Sequence, residues 1–216
     1  MRKRLICKLK QIISIKRINR KFDCKISIRN GITNSTEFEG KNMARLNIDN
    51  ESVKKYIYSM SEKLMRHFDL EYQINKENEY FDLYAFHQNN FFKSFITRST
   101  VYEGYSVFEH VLVRYIKECS DEELQKFEDM LVRLTPILSN PNKFHKRSII
   151  TGVIITESSL KPEWEKRIRK FFYRASYKLL FHGWSETQYA LTSIKDKTLY
   201  LPKMRKKELK VLLSDF

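Results

Sequence analysis

The chain contains little glycine and proline and few cysteines. Its 216 residues include only 5 Gly and 4 Pro, which excludes a collagen-like or linker-rich organisation. No apolar run reaches the roughly 18 residues that a membrane-spanning helix needs. The three cysteines are an odd set without C-x-x-C spacing, which is typical of a reducing compartment. We therefore expect a cytoplasmic protein.

Motifs for nucleotide, metal or covalent chemistry are also missing. Neither the dinucleotide-binding glycine pattern nor the P-loop pattern occurs. Cys119 precedes a predicted helix, where a thiolate is stabilised, but the sequence supplies no histidine beside it. We predict no metal and no cofactor, and we favour a non-enzymatic protein. The five histidines never have metal-ligand spacing, and we interpret them as surface or hydrogen-bonded core residues: His67, His87, His110, His145 and His182.

What the sequence does contain is positive charge at its two ends. Of the formal net charge of +15, residues 1–30 carry +10, because eleven basic residues are accompanied by Asp23 alone. Residues 203–216 carry +3, which leaves +2 for residues 31–202. Charge asymmetry of this kind indicates an anionic partner and says little about the fold.

Residues 3–18 are predicted to form a basic amphipathic helix, with Leu5, Ile6, Leu9, Ile12 and Ile13 on one face. Lys8 and Lys10 interrupt what would otherwise resemble the apolar region of a secretion signal. Three hypotheses remain open: the helix docks on the body, binds nucleic-acid phosphates, or lies on an anionic membrane. The membrane is the least favoured, because the helix has no Trp or Phe. The candidate nucleic-acid-binding residues are Arg2, Lys3, Arg4, Lys8, Lys10, Lys16, Arg17, Arg20 and Lys21.

Composition divides the chain into four segments. The basic N-terminal arm covers 1–30, where alternating apolar residues predict a strand over 22–29 after the helix. A polar linker follows over 31–49. An α+β domain is predicted over 50–202, and a basic C-terminal helix over 203–216.

The first half of the predicted domain is a helix followed by an antiparallel meander. Asn50 can cap a helix whose apolar stripe includes Val53 and Ile57. Three predicted strands follow, separated by turns at Asn89-Asn90 and Glu103-Gly104; they cover 79–88, 91–102 and 105–116.

The second half is predicted to contain a βαβ unit. Ser120 and Glu123 form a capping box for a helix whose apolar face extends to Leu138 and which Pro136, with Asn140-Pro141, ends. The apolar run 148–156 indicates a central strand, and Gly152 within it indicates close packing by a large side chain, Trp164 or Phe171. A helix capped by Ser158 or Ser159 is predicted to extend to about 173. Two strands follow, over 176–182 and 185–194. The predicted sheet is mixed and mostly antiparallel, with parallel pairing expected across 148–182.

This order of helix, three strands, helix and strand resembles the restriction-endonuclease-like core. That chemistry requires an acid on one strand and an acid-x-Lys triplet on the next, to hold a metal and activate water. The triplets that begin at Asp23, Glu39 and Glu208 all lie outside the meander, and Glu109-His110-Val111 lacks the lysine. We expect no metal-dependent nuclease activity.

A second resemblance covers about 60–195. The blocks YFDLYAFH (80–87), SIITGVIIT (148–156) and SYKLLFHGWSETQYALTSI (176–194) resemble a family of small uncharacterised proteins from low-GC Gram-positive bacteria. The resemblance implies a soluble, single-domain cytosolic protein without an established activity. It provides no functional residues, and it does not extend to the arm.

The sequence leaves three classes of function open. The leading hypothesis is a non-enzymatic binding module that engages nucleic acid by charge. The alternatives are a regulatory or scaffolding protein that binds another protein or an anionic membrane, and an enzyme with a dispersed site on a nuclease-like fold. Basic and aromatic residues of the meander could bind a single strand, but we interpret them as cross-strand pairs: Arg98, Tyr102, Arg114 and Tyr115. The oligomeric state is not predicted.

Overall fold

A computed structural model of the chain describes residues 46–94 and 101–214. The predicted arm and most of the predicted linker lie outside these residues. The described part contains four α-helices, seven strands and one turn of 3-10 helix at Lys178–Leu180. In chain order the elements are α1 (Glu51–Leu64), β1 (Asp69–Lys76), β2 (Glu79–Ser94), β3 (Val101–Tyr115), α2 (Asp121–Ser139), β4 (His145–Thr156), α3 (Pro162–Lys170), β5 (Tyr173–Ser176), β6 (Trp184–Ser193), β7 (Thr198–Tyr200) and α4 (Lys206–Leu213).

The strands form one mixed sheet in the order β1-β2-β3-β4-β6-β5, and β7 also pairs with β6. Strand β4 is parallel to β3 and to β6, whereas the other neighbours are antiparallel. The predicted α+β class with a mixed, mostly antiparallel sheet is therefore confirmed.

Strand β4 is the central strand, as its apolar run predicts. Every residue from Ser148 to Thr156 is buried. One face of the sheet packs against α1 and α4, and the opposite face packs against α2 and α3. A strand covered on both faces has no side for polar residues, which explains the continuous apolar pattern.

The predicted first helix is also confirmed. The Asn50 side chain accepts hydrogen bonds from the backbone amides of Ser52 and Val53, which satisfies two of the free amides at the start of α1. The apolar stripe faces the sheet, where Val53 and Ile57 are fully buried.

The predicted turns of the meander are wrong. Asn89-Asn90 and Glu103-Gly104 lie inside β2 and β3, where they pair with the neighbouring strand. The Asn90 side chain accepts hydrogen bonds from Gln88 and from Ser106 across the sheet, so its amide supports the strand. The meander instead consists of β1, β2 and β3. Its first turn is at Glu77 and Asn78, both with positive φ.

Helix α2 ends at the predicted Asn140-Pro141 stop, whereas α3 is shorter than predicted. Helix α2 continues through Pro136 and ends at Ser139, because Asn140 adopts the left-handed conformation that terminates it. Ser120 caps α2 by accepting a hydrogen bond from the amide of Glu123, as predicted. Helix α3 starts at Pro162 without a side-chain cap, since the Ser158 hydroxyl accepts from the backbone amide of Cys119 instead.

The βαβ unit exists, but its second strand is β6 and not the predicted strand over 176–182. Residues 148–156 pair in parallel with β6 and not with 176–182. The latter segment holds only the end of β5, which is antiparallel to β6, and the 3-10 turn. Gly152 does mark a close approach, although the neighbours come from α2: a Cβ there would lie 2.6 Å from Phe127 and 2.9 Å from Leu131.

Candidate functional site

Strand β6 has a gap in the pairing of its outer edge. Strand β5 covers residues 184–187 of that edge, and β7 covers residues 191–193. Residues 188–190 have neither neighbour. A cleft opens at this gap, between the end of α3 on one side and the segment that precedes α4 on the other.

The cleft has a volume of about 570 Å³, which is in the range of ligand-binding sites. Four exposed cations line it, and no acidic residue does. Within the described part of the chain, none of the four forms an ion pair. The cations are Lys166, Arg169, Lys170 and Lys203; we call this site the edge cleft.

Helical spacing explains why three of these cations face outward together. Trp164 and Ile168 turn toward the sheet and are buried. Lys166, Arg169 and Lys170 therefore fall on the other side of α3, three and four residues apart. The side chain of Trp164 also donates a hydrogen bond to Asp121 at 2.7 Å, which ties α3 to the start of α2.

A half-buried ion pair fixes the position of α3. The guanidinium of Arg167 donates to both carboxylate oxygens of Glu128 on α2, at 2.9 and 2.8 Å. The hydroxyl of Tyr189 on β6 donates to the same carboxylate at 2.7 Å. Burial and the adjacent Glu128 raise the pKa of Tyr189, so this hydroxyl keeps its proton. Three of the four cations of the edge cleft, Lys166, Arg169 and Lys170, therefore lie on a helix whose position is fixed.

The apolar part of the edge cleft is aromatic. Phe171 packs edge-on against Tyr189, with ring centroids 5.1 Å apart, whereas Phe172 is 46% exposed. Met204 faces them from the segment before α4. An exposed phenyl ring beside several cations is the combination that stacks bases and neutralises phosphates.

Gln188 adds a buried polar group to the edge cleft. Its side chain is 3% exposed, and its Oε1 has no hydrogen-bond partner among the described residues. A half-turn about the last side-chain bond exchanges Oε1 and Nε2, so the amide can offer either an acceptor or a donor. A buried polar atom without a partner destabilises the fold, and a bound ligand would remove that cost.

Neighbouring cations differ from those of the cleft because acids neutralise them. Arg147 pairs with Glu186, and Arg205 pairs with Glu109 at 2.9 Å. Glu109 was the acid that a nuclease-like site would have used on the third strand. Its carboxylate is instead engaged by Arg205, and no lysine follows it two residues on.

Two further clefts are less suited to an anion. One of about 430 Å³ lies beside α2, where Glu79 neutralises both Arg114 and Arg133. The other, of about 730 Å³, lies between α1 and the turn after β6 and has two lysines, Lys55 and Lys197. Neither has four cations free of acidic neighbours.

The residues predicted for the site fall into two groups. The nine basic residues of the arm, from Arg2 to Lys21, lie outside the described residues. Of the meander residues, Arg114 pairs with Glu79, and the hydroxyl of Tyr115 donates to Glu157. These two support the fold, as the cross-strand interpretation predicts.

Cys119 does not have the stabilised thiolate that its place before α2 suggests. Burial, and then Glu123 and Asp121, raise the pKa of its thiol to about 12. Burial outweighs the effect of the helix start here. Groups of three or more metal-ligating side chains are absent from the described residues.

The two buried histidines, His110 and His145, form hydrogen bonds within the fold. His145 donates from Nδ1 to the carbonyl of His182 at 2.6 Å, and its Nε2 lies 2.8 Å from the hydroxyl of Ser148. His110 bonds through Nδ1 to the hydroxyl of Tyr84 at 2.9 Å, whereas its Nε2 has no partner within the described part. His110 therefore only partly fits the expectation of a hydrogen-bonded core histidine.

Sequence reasoning missed the edge cleft. The spacing of Lys166, Arg169 and Lys170 was a visible signal, because it places three cations on the outer face of one helix. Lys203 was counted within the basic C-terminal segment. The contribution of Gln188 depends on the pairing gap, which no sequence pattern indicates.

The chain belongs to the family described as Domain of unknown function (DUF8052), whose model matches residues 52–214. The match confirms an uncharacterised family. Searches of the curated proteins and of the solved structures found no match. Among the described residues, the helices are too short or too polar to cross a membrane.

Proposed function

We propose that this protein is a non-enzymatic module that binds single-stranded nucleic acid, and that the edge cleft holds a segment of the strand. The observation that carries the proposal is a ligand-sized cleft with four cations and no acid. Phosphates would supply the negative charge that neutralises these cations.

The apolar and polar residues of the cleft favour a strand with unpaired bases over a duplex. A base can stack on the exposed ring of Phe172, a contact worth about 1–3 kcal/mol. The amide of Gln188 can form hydrogen bonds with the edge of that base. Both contacts require a base that is not already paired in a helix.

The basic arm would add phosphate contacts that are independent of sequence. In this proposal the nine arm residues neutralise further phosphates along the strand, and the edge cleft holds the base. The protein acts in the cytoplasm of a bacterium, as its cysteine usage and its resemblance to low-GC Gram-positive proteins suggest.

Fluorescence anisotropy with labelled single-stranded oligonucleotides tests the proposal. We expect Phe172→Ala to weaken binding by about 1–3 kcal/mol. Gln188→Leu should weaken binding by a similar amount while leaving the free energy of unfolding equal or higher, because it removes an unpartnered buried amide. Thermal unfolding provides the second measurement.

Thr192→Val is the matched control for Gln188→Leu. Thr192 lies on the same strand, is fully buried, and also has an unpartnered side-chain oxygen among the described residues, but it does not line the cleft. It should leave oligonucleotide affinity unchanged. Equal affinities of the wild type and the Gln188→Leu and Phe172→Ala variants would show that the edge cleft is not the binding site.

A further inference from the structure

A second surface lies in the loop between β5 and β6, whose residues do not line the edge cleft. Three consecutive apolar side chains project into solvent there: Leu179 is 90% exposed, Leu180 57% and Phe181 82%. We call these three residues the apolar tip. Isolated exposed apolar residues are common, but three in sequence form a patch that marks an interaction site.

The backbone of the apolar tip is held in an unusual conformation. Lys178, Leu179 and Leu180 have φ values of 43°, 50° and 74°, in the left-handed region that residues other than glycine rarely adopt. Such backbone strain is found at functional sites. Here it presents two leucines and a phenylalanine to solvent instead of burying them.

Backbone hydrogen bonds close the loop behind the apolar tip. The amide of Tyr177 donates to the carbonyl of Gly183 at 3.0 Å, and the amide of His182 returns to the carbonyl of Tyr177 at 3.2 Å. The Nδ1–H of His145 donates to the carbonyl of His182. These hydrogen bonds hold the loop closed, so that the three apolar side chains project from one turn.

Positive charge surrounds the apolar tip. The adjacent chain segments 140–149 and 171–186 contain five cations, of which Arg147 is neutralised by Glu186. The other four are Lys143, Lys146, Arg174 and Lys178. The segments are in contact, since a Cβ on Gly183 would lie 2.6 Å from the carbonyl oxygen of His145. Phe144, 52% exposed, has the Lys143 ammonium 4.8 Å from its ring.

We propose that the apolar tip inserts into an anionic lipid bilayer, with the surrounding cations on the lipid headgroups. A projecting apolar loop needs a partner that can surround it, and the cations require negative charge in the same partner. The N-terminal arm has a net charge of +10 and would be repelled, and a second copy would bring the same cations. Two of the three tip side chains, Leu179 and Leu180, also lack the π-face that stacks on bases.

Co-sedimentation of the full chain with vesicles tests this proposal. The vesicles are of pure phosphatidylcholine, or of phosphatidylcholine with about one phosphatidylglycerol in three lipids. We expect binding to the anionic vesicles and much weaker binding to the neutral ones. Leu179→Ser with Phe181→Ser should reduce partitioning at least about tenfold. Lys143→Gln and Lys178→Gln should each reduce it by about fivefold.

Two controls separate the apolar tip from other surfaces. Val211→Ser, at an apolar side chain 71% exposed on α4, should leave partitioning unchanged. Leu9→Ser with Ile13→Ser, on the predicted apolar face of the arm, should reduce it less than the tip variant does. The tip variant should keep the oligonucleotide affinity and melting temperature of the wild type, since the cleft does not include the tip.

A reporter variant provides a readout that does not rely on loss of binding. The emission of Phe181→Trp should shift to the blue when anionic vesicles are added, because the indole leaves water. An unshifted spectrum, equal partitioning of the tip variant and the wild type, or a loss of binding that follows only the arm substitutions would overturn the proposal. So would capture of an acidic protein by the apolar tip without vesicle binding.

Discussion

At the scale of single residues, His110 makes the stability of the fold depend on pH. Burial, and then the Lys76 ammonium, lower the pKa of His110 to about 4, whereas an unfolded chain has a histidine pKa of 6.5. Between these values the unfolded chain binds a proton that the folded chain does not. The contribution of His110 to the free energy of unfolding is therefore fully present above pH 6.5 and is lost as the pH decreases toward 4.

The expected contribution of His110 is a loss of about 2 kcal/mol between pH 7 and pH 5, measured by urea unfolding. His110→Phe should remove this part of the pH dependence, whereas His67→Gln, at an exposed position, should preserve it. His145, whose pKa burial also lowers, acts in the same direction, and Asp82, whose pKa burial raises, acts in the opposite one. Equal slopes for His110→Phe and the wild type would contradict the prediction.

Single residues were also where sequence reasoning was weakest. His110 and Gln188 are ordinary polar residues in the sequence, and their properties arise from neighbours far along the chain. His110 meets Tyr84 from another strand, and Gln188 is buried at a gap between β5 and β7. Burial without a partner is a tertiary property that no local pattern encodes.

At the scale of elements, the contact between β4 and α2 depends on the missing side chain of Gly152. A Cβ at this position would overlap the ring of Phe127. Gly152→Ala should therefore lower the free energy of unfolding by about 1–3 kcal/mol through overpacking. Thermal unfolding of the purified variants measures the change.

A double-mutant cycle checks the cause of this loss. In a Phe127→Leu background the smaller side chain leaves room for the methyl group, so Gly152→Ala should cost less there than in the wild type. An equal loss of unfolding free energy in both backgrounds would show that the contact with Phe127 on α2 is not the reason why position 152 requires glycine.

The elements themselves were predicted unevenly, for physical reasons. The apolar stripe of α1 and the apolar run of β4 are strong signals. A stripe indicates a helix buried on one face, and a continuous run indicates a strand buried on both faces. Strand β1 was missed although Leu70, Tyr72 and Ile74 alternate. The asparagine pair of β2 is a strong turn signal by itself, because asparagine is favoured in turns. In the fold the Asn90 side chain instead accepts hydrogen bonds from Gln88 and Ser106.

At the scale of the whole molecule, the net charge of +15 should act through particular sites. If the arm and the edge cleft hold one strand, each cation that contacts a phosphate releases a counterion. Each such contact makes the slope of log K against log salt more negative by about 0.7 on single strands. A diffuse positive field would instead respond to any lost charge.

Three pairs of substitutions, each removing two positive charges, distinguish these cases by anisotropy titrations across a salt series. The arm pair is Lys10→Gln with Arg17→Gln, the cleft pair is Arg169→Gln with Lys203→Gln, and the control pair is Lys117→Gln with Lys126→Gln. The arm and cleft pairs should each flatten the slope by about 1.4, and the control pair should leave it nearly unchanged. Combining the arm and cleft pairs should add their effects on log K, because the sites touch different phosphates of one strand. If the control pair flattens the slope as much as the cleft pair does, the affinity depends on net charge and not on particular sites. If the cleft pair alone leaves the slope unchanged, the arm is the nucleic-acid site and the edge cleft is not.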